Sequence, residues 1–179
     1  MILFKIWWHF NAFVRKKIFK LIYCRKLVLG NNVTFRKNFT LLIDKSGKVH
    51  IGNRVFFNNY CSVVSMDNIF IGDNCIFGEN VKIYDHNHRF NIKGKVIAEQ
   101  GFKTAPIVIK NNCWIANNVV ILKGVTIGEN SVIGVGCIVS EDVPANSVLQ
   151  LNHGINKLSQ ITYKGWIYNL SATALRQPN

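Results

Sequence analysis

From residue 107 onward the chain counts in sixes. Ile109, Ile115, Ile121, Ile127, Ile133 and Val139 stand six residues apart, and two places before each stand Ile107, Cys113, Val119, Val125, Ser131 and Cys137. The residue after the main aliphatic is often small (Ala116, Gly128, Gly134). Asn or Asp tends to fall just before the next apolar pair, as at Asn112, Asn118, Asn130 and Asp142. The same phase runs through Ile51-Gly52, Phe57 and Val63, then through Ile71-Gly72, Phe77-Gly78 and Ile83, with a weaker instance at Leu29-Gly30. Between Val63 and Ile71 the step is eight, so Asp67-Asn68 adds two residues at a turn.

Six residues make one flat strand and one turn, too little for an independent supersecondary unit. Three such units close a triangular coil with aliphatics inward and turn residues at the corners. Stacked coils then bury a continuous core and pair each strand with those above and below. The pattern predicts an all-β solenoid over residues 27–150, and small corner residues allow its tight turns. A solenoid of this kind serves equally as catalyst, scaffold or binding surface, so the fold alone assigns no function.

The N-terminal residues have a different texture. Over 2–26 the periodicity predicts an amphipathic helix, with Leu3, Ile6, Trp7, Phe10, Phe13, Val14 and Leu21 on one face and Lys5, His9, Lys16 and Lys20 opposite. The segment holds seven Lys/Arg and no acid. That pattern fits a helix lying in a membrane interface, or one packed on the domain or on a sister subunit. Lys5, His9, Asn11 and Arg15 interrupt the apolar residues and no small-residue cleavage site follows, so no signal peptide is expected. The division expected is 1–26 helix, 27–150 solenoid and 151–179 tail.

Composition narrows the partners. Of 179 residues, 49% are hydrophobic, which supports a real core, and the net charge of +13 calls for an anionic partner. A phosphorylated ligand, a membrane surface and nucleic acid all qualify, but no recognised RNA or DNA motif surrounds the charge, and no nucleic-acid partner is expected. The five cysteines include no CxxC pair and are odd in number. Four of them fall on core-phase positions and read as buried thiols of a reducing compartment. No metal site is expected.

The repeat stops after Ile83 and resumes at Ile107. The intervening residues, about 84–106, form an ejected loop carrying Asp85, His86, His88 and Glu99. A loop leaving a rigid scaffold commonly carries function. Imidazole suits proton abstraction from an alcohol near neutral pH.

A set of motifs in this order resembles the hexapeptide-repeat acetyltransferases of the galactoside and maltose acetyltransferase group. The chain is most similar in character to bacterial exopolysaccharide and O-antigen O-acetyltransferases. The motifs are Ile83-Tyr84-x-x-x-His88, Pro106-Ile107-x-Ile109, Asn112-x-Trp114-Ile115-Ala116-Asn117, Gly124-Val125-x-Ile127-Gly128, Ile133-Gly134-x-Gly136-Cys137-x-Val139 and Asp142-Val143-Pro144. The resemblance implies a left-handed parallel β-helix and acetyl transfer from acetyl-CoA, as cosubstrate, to a sugar hydroxyl by direct attack on the thioester. It implies a homotrimer with sites between subunits. The reducing compartment read from the cysteines and the membrane-leaning helix give the expected location: the cytoplasm, or peripherally on the inner face of a bacterial membrane.

Residue by residue, the resemblance makes His88 the general base, with His86 as alternate, and the Asn117 backbone N–H the oxyanion donor. Asn58 matches an acceptor-binding asparagine, and Asp85 and Glu99 are candidates for orienting the base or binding sugar hydroxyls. Trp114, Ala116, Gly134, Val135 and Ser140 match the cofactor groove. Ala116 replaces the usual Gly, Glu141 replaces a lysine near the cofactor phosphates, and Lys123, Lys157 or Lys164 are candidate substitutes. A zinc enzyme like the γ-class carbonic anhydrases would need three histidines, with His50 and His153 the candidates to join a loop histidine. A non-catalytic membrane scaffold is the remaining alternative.

Overall fold

The structure is a computed structural model that describes residues 2–44, 46–152 and 155–161. Helix α1 (Ile2–Tyr23) leads through a short 3-10 turn into a left-handed β-solenoid of five complete coils and the opening of a sixth. Each coil contributes one strand to each of three parallel sheets. On the first face Leu29, Ile51, Ile71, Ile109 and Ile127 stack in register. On the second face Phe35, Phe57, Phe77, Ile115 and Ile133 do the same. On the third, Leu41, Val63, Ile83, Ile121 and Val139 stack. The six-residue count therefore fills one inward column per face.

The corners explain the rest of the pattern. Asn32, Asn74, Asn112, Asn130 and Asn146 hold φ between 56° and 60° at one corner, and Asn38, Asn80 and Asn118 do so, at 55° to 59°, at the next. Asparagine tolerates this left-handed conformation better than most residues with a Cβ. Small residues beside the stacked aliphatics have a steric cause. A Cβ on Gly72 would lie 2.9 Å from the Asn111 amide nitrogen and from the Lys110 carbonyl carbon of the next coil.

Inside, the early coils are aromatic and the later ones aliphatic. Phe35 stacks on Phe39 at 4.8 Å between centroids, and Phe57 on Phe77 at 4.4 Å. Isoleucines fill the coils beyond, each fully buried and worth about 1.5–3 kcal/mol over leaving it exposed. The first coil has no neighbour below, so its carbonyls would go unpaired. Helix α1 and the turn after it meet that need. Arg15 donates to the carbonyls of Arg36 and Phe39, the Tyr23 hydroxyl to Leu41 at 3.0 Å and the Lys26 ammonium to Asp44 at 3.3 Å.

The face of α1 that meets the solenoid is built from Ala12, Arg15, Phe19 and Tyr23. The described part of the stripe with the stronger apolar periodicity points outward: Phe10 is 64% exposed, Phe13 54% and Leu21 79%, while the side chains of Leu3, Ile6 and Trp7 lie outside the described ones. Among the described residues no helix is long and apolar enough to cross a membrane. At the far end the solenoid does not stop at residue 150. The strand Ser147–Asn152 pairs antiparallel with Ile155–Gln160, so the segment read as tail begins by closing the second sheet with a hairpin.

Candidate active site

The ejected segment is itself ordered as a hairpin. The chain leaves the third face after Tyr84, and His86–His88 pairs antiparallel with Phe102–Thr104, placing His88 opposite Phe102. At the hairpin tip the Gln100 side-chain amide holds the backbone of Ile92 and Lys95. Glu99 lies beside it and is exposed.

Asp85 anchors the hairpin. It is fully buried, and its carboxylate accepts four hydrogen bonds: from Ser65 Oγ at 2.7 Å, Met66 N–H at 2.8 Å, Asp67 N–H at 2.9 Å and His86 Nδ1 at 3.1 Å. The turn lengthened by the eight-residue step supplies this seat, through Ser65, Met66 and Asp67. The ring this carboxylate holds is that of His86, the alternate base, and both of its oxygens are enclosed by protein donors.

The two histidines differ in surroundings. The His86 side chain is 15% exposed. Because a carboxylate only accepts, Nδ1 is the donor in this contact. Its ring meets Phe102 edge-on at 5.5 Å. His88 is exposed, lies with its ring 4.4 Å from Phe102, and makes no hydrogen bond within the described chain. Phe102 thus supports both rings, a role its place in a loop gave no sequence signal for.

The remaining candidates gather elsewhere. Asn58, Gly78, Ala116 and Gly134 occupy equivalent places at the corner between the second and third faces, one per coil. Beside that column run Asn59, Glu79, Asn117 and Val135. Along it, an amide is taken by the side chain of the coil above: Lys37 N–H by Asn59, and Glu79 N–H by Asn117 Oδ1 at 2.8 Å. Above Asn117 stands Val135, which has no acceptor, so the Asn117 N–H is left open to a ligand. The Asn111 amide, one corner back and below Glu129, is open in the same way, so openness alone does not distinguish Asn117. Its neighbours do: Trp114 is 53% exposed on the second face and Val135 60% exposed at the corner, an apolar surface beside the open donor. The Asn58 carboxamide is engaged by Arg36 at 3.3 Å and by the Asn59 amide at 2.9 Å.

The structure therefore splits the predicted site between two corners. Asn58, Trp114, Ala116, Asn117, Gly134 and Val135 lie at the junction of second and third faces. Asp85, His86, His88 and Glu99 leave from the junction of third and first faces, where Ser140 also lies. One face separates them, roughly 17 Å for five residues at about 3.3 Å each. Ser140, Glu141, Asp142, Asn156 and Leu158 line a cleft of about 350 Å³ at the C-terminal end. Of the lysines considered for the cofactor phosphates, neither Lys123 nor Lys157 lines this cleft. Lys123 lies at the corner from which the loop leaves, Lys157 lies in the terminal hairpin, and Lys164 is outside the described residues.

Cys61, Cys75, Cys113 and Cys137 are buried in the core and Cys24 is exposed. Burial pushes the Cys61 and Cys137 thiols up from their ordinary range, which disfavours a nucleophilic thiolate. His50 lies on the outer side of the first face, stacked on Phe70 at 4.8 Å, away from the loop histidines. His153 is outside the described residues. Among the described residues no group of three His, Cys, Asp or Glu is arranged to hold a metal.

Comparison with known proteins gives the lineage. Residues 106–141 match the family described as bacterial transferase hexapeptide (six repeats). Among solved structures, a galactoside acetyltransferase in complex with coenzyme A is 30% identical with a TM-score of 0.69, over 82% of this chain and 69% of that one. The chain belongs to the hexapeptide-repeat transferase family. This family member is also 40% identical over 100 residues to galactoside O-acetyltransferase of Escherichia coli K12, covering 56% of the chain and 48% of that protein. A hexapeptide-repeat acetyltransferase of Vibrio cholerae complexed with acetyl coenzyme A is 27% identical with a TM-score of 0.62, over 74% of this chain and 69% of that one. The chain spans about half the length of the curated relatives it matches.

Proposed function

We propose that this hexapeptide-repeat protein transfers an acetyl group from acetyl-CoA to a hydroxyl of a sugar. The observation that carries the reading is the division of the site. A histidine hairpin leaves one corner, and an open amide beside exposed Trp114 and Val135 stands at the next. In a ring of three copies, the hairpin of one subunit faces the amide corner of its neighbour. A head-to-tail contact of this kind closes naturally as a homotrimer.

The chemistry then follows. The acceptor hydroxyl gives its proton to the His88 imidazole as its oxygen attacks the thioester carbonyl. The Asn117 N–H stabilises the resulting oxyanion. Collapse of the intermediate breaks the carbon–sulfur bond, and the departing CoA thiolate takes the proton from His88. His88 is preferred to His86 because its exposed ring makes no hydrogen bond within the described chain, whereas His86 is tied to Asp85. His86 and Asp85 then act as the brace that aims the hairpin, and Glu99 and Asn58 contact the acceptor.

The apolar outer stripe of α1, with basic residues along it, supports placement of the enzyme peripherally on a membrane, at the cytoplasmic face. The acceptor class in that setting is a cell-surface polysaccharide precursor or lipid-linked glycan. The test is release of CoA thiol from acetyl-CoA with a panel of glycosides, comparing wild type, His88→Ala and His86→Ala. Loss of about 100-fold or more in kcat is expected for His88→Ala, at the lower edge of general-base effects. An unchanged rate in that variant removes the role assigned to His88.

A further inference from the structure

A groove of about 200 Å³ runs between α1 and the first corner of the solenoid. From the helix it is lined by Phe13, Lys16, Lys17 and Lys20, and from the first coil by Leu29 to Asn32. None of the three lysines has a carboxylate partner among the described residues, whose one acid–base contact is His86 with Asp85. The sequence leaves little chance of one nearby: no Asp or Glu precedes Asp44, while nine of the 22 Lys and Arg do. The Lys16 ammonium is held below its usual range by partial burial and by the charge of Lys20. Like charges gathered in a partly buried groove, without a counter-ion, form a seat for an anion.

The rim of the groove says which anion. Lys17 lies 5.6 Å over the Phe13 ring. Beyond Phe13 the outer side of α1 presents Phe10, Val14, Ile18, Leu21 and Ile22, all exposed. A small soluble phosphate would use the lysines and leave this apolar surface wet. A second copy of α1 would bring lysines against lysines, since the helix contains no acid. An amphiphile with an anionic head and a hydrocarbon body satisfies both halves.

We infer that Lys16, Lys17 and Lys20 form a site for the phosphate of an anionic phospholipid, with α1 lying in the bilayer interface above it. The inference rests on the reading of α1 as a membrane-surface helix and adds a headgroup-selective site to it. The phosphate enters the groove between α1 and Asn31-Asn32, and the acyl chains meet the outer stripe. The groove then fixes the rotation of α1 about its axis, with the solenoid standing off the bilayer from its N-terminal end.

The experiment is co-sedimentation of the full chain with vesicles of phosphatidylcholine alone and of phosphatidylcholine with a minor fraction of phosphatidylglycerol. A Lys16→Gln/Lys20→Gln double variant is compared with Lys48→Gln/Lys110→Gln, which removes the same charge from exposed positions away from α1. Wild type is expected to prefer the phosphatidylglycerol vesicles. The groove variant should lose about tenfold or more of that affinity, at roughly fivefold per lysine, with the control pair losing much less. Equal losses in the two variants would overturn the groove site and leave only general charge attraction. Equal wild-type binding to both vesicles would overturn it too, while sparing the membrane reading of α1. No binding to either would sink both. Displacement from vesicles by inorganic phosphate at low concentration would assign the groove to a soluble anion and overturn the lipid.

Discussion

The carboxylate of Asp85 lies 3.1 Å from His86 Nδ1, and its other contacts are all to the corner one coil below, at Ser65, Met66 and Asp67. One buried side chain thus ties the histidine hairpin to the rigid stack. Removing it takes the acceptor from four donors at once. Asp85→Ala should therefore lower unfolding free energy by about 3–5 kcal/mol, the cost typical of breaking a buried charged network. Asp85→Asn should cost less, since one oxygen remains. Urea unfolding measures the first effect. Trypsin reports the second, because a loosened hairpin frees the backbone at the already exposed Arg89, Lys93 and Lys95 for cleavage before the solenoid melts.

The corner asparagines make a sharper stability test than the core. Asn112 has φ of 56° and donates its side-chain amide to Asn130 Oδ1 at 2.9 Å. Asn112→Gly loses that bond but gains conformational ease, and should change stability by less than about 1 kcal/mol. Asn112→Val adds β-branching at a left-handed position and should cost about 2 kcal/mol or more. Gly72→Ala should be worse than either, because its Cβ would meet backbone of the next coil at 2.9 Å. Thermal unfolding of the three variants orders them; a well-tolerated Gly72→Ala would contradict the packing described.

How much of this was legible in the sequence depends on what carries the signal. The solenoid was readable because its inward column repeats every six residues and each coil restates it. The first coil left only the weak trace Leu29-Gly30, and Phe39 stands where later coils have Cys or Val. The loop was legible as an interruption, but its hairpin was not, because the antiparallel pairing of His86–His88 with Phe102–Thr104 has no periodic trace. The seat of Asp85 was half visible: the eight-residue step marked the turn at Asp67-Asn68, and only the coordinates join it to a residue a coil away. For α1 the periodicity found the apolar stripe correctly. It gave no way to tell that the stripe faces out, because the inner face is made by Ala12, Arg15, Phe19 and Tyr23, whose contacts are with a coil end and not with a uniform apolar surface.

The thiols set an alkaline limit on the fold. Burial pushes the Cys61 thiol above its usual value of 9.0. The folded state thus holds the neutral form while the unfolded chain ionises first. The stabilisation from this preference is fully present below the unfolded value and is lost as pH rises through the folded one. Tm should fall above about pH 9, and fall less steeply in Cys61→Ala, although that variant starts lower from the small cavity it leaves. At neutral pH, iodoacetamide should modify Cys24 alone in the native protein and all five cysteines after denaturation. Native labelling at Cys61 or Cys137 would mean those coils open.

The separation of the two half-sites makes the subunit arrangement testable by mixing. His88→Ala disables the hairpin half and leaves the Trp114 corner intact. Trp114→Asp places a charge on the apolar surface beside the Asn117 amide and leaves the hairpin intact. If both halves of each site came from one chain, no mixture of the two variants would contain an intact site. If each site joins the hairpin of one chain to the corner of its neighbour, a mixed ring contains sites built from the two undamaged halves. Random reassembly of equal amounts pairs an intact hairpin with an intact corner in about a quarter of the interfaces of a head-to-tail ring. Co-refolding the two inactive variants should therefore restore CoA release toward that fraction of wild type, with each variant refolded alone remaining inactive. Absence of recovery, in mixtures shown by differential tagging to contain both chains, would place the whole site within a single subunit and remove the observation on which the proposed function stands.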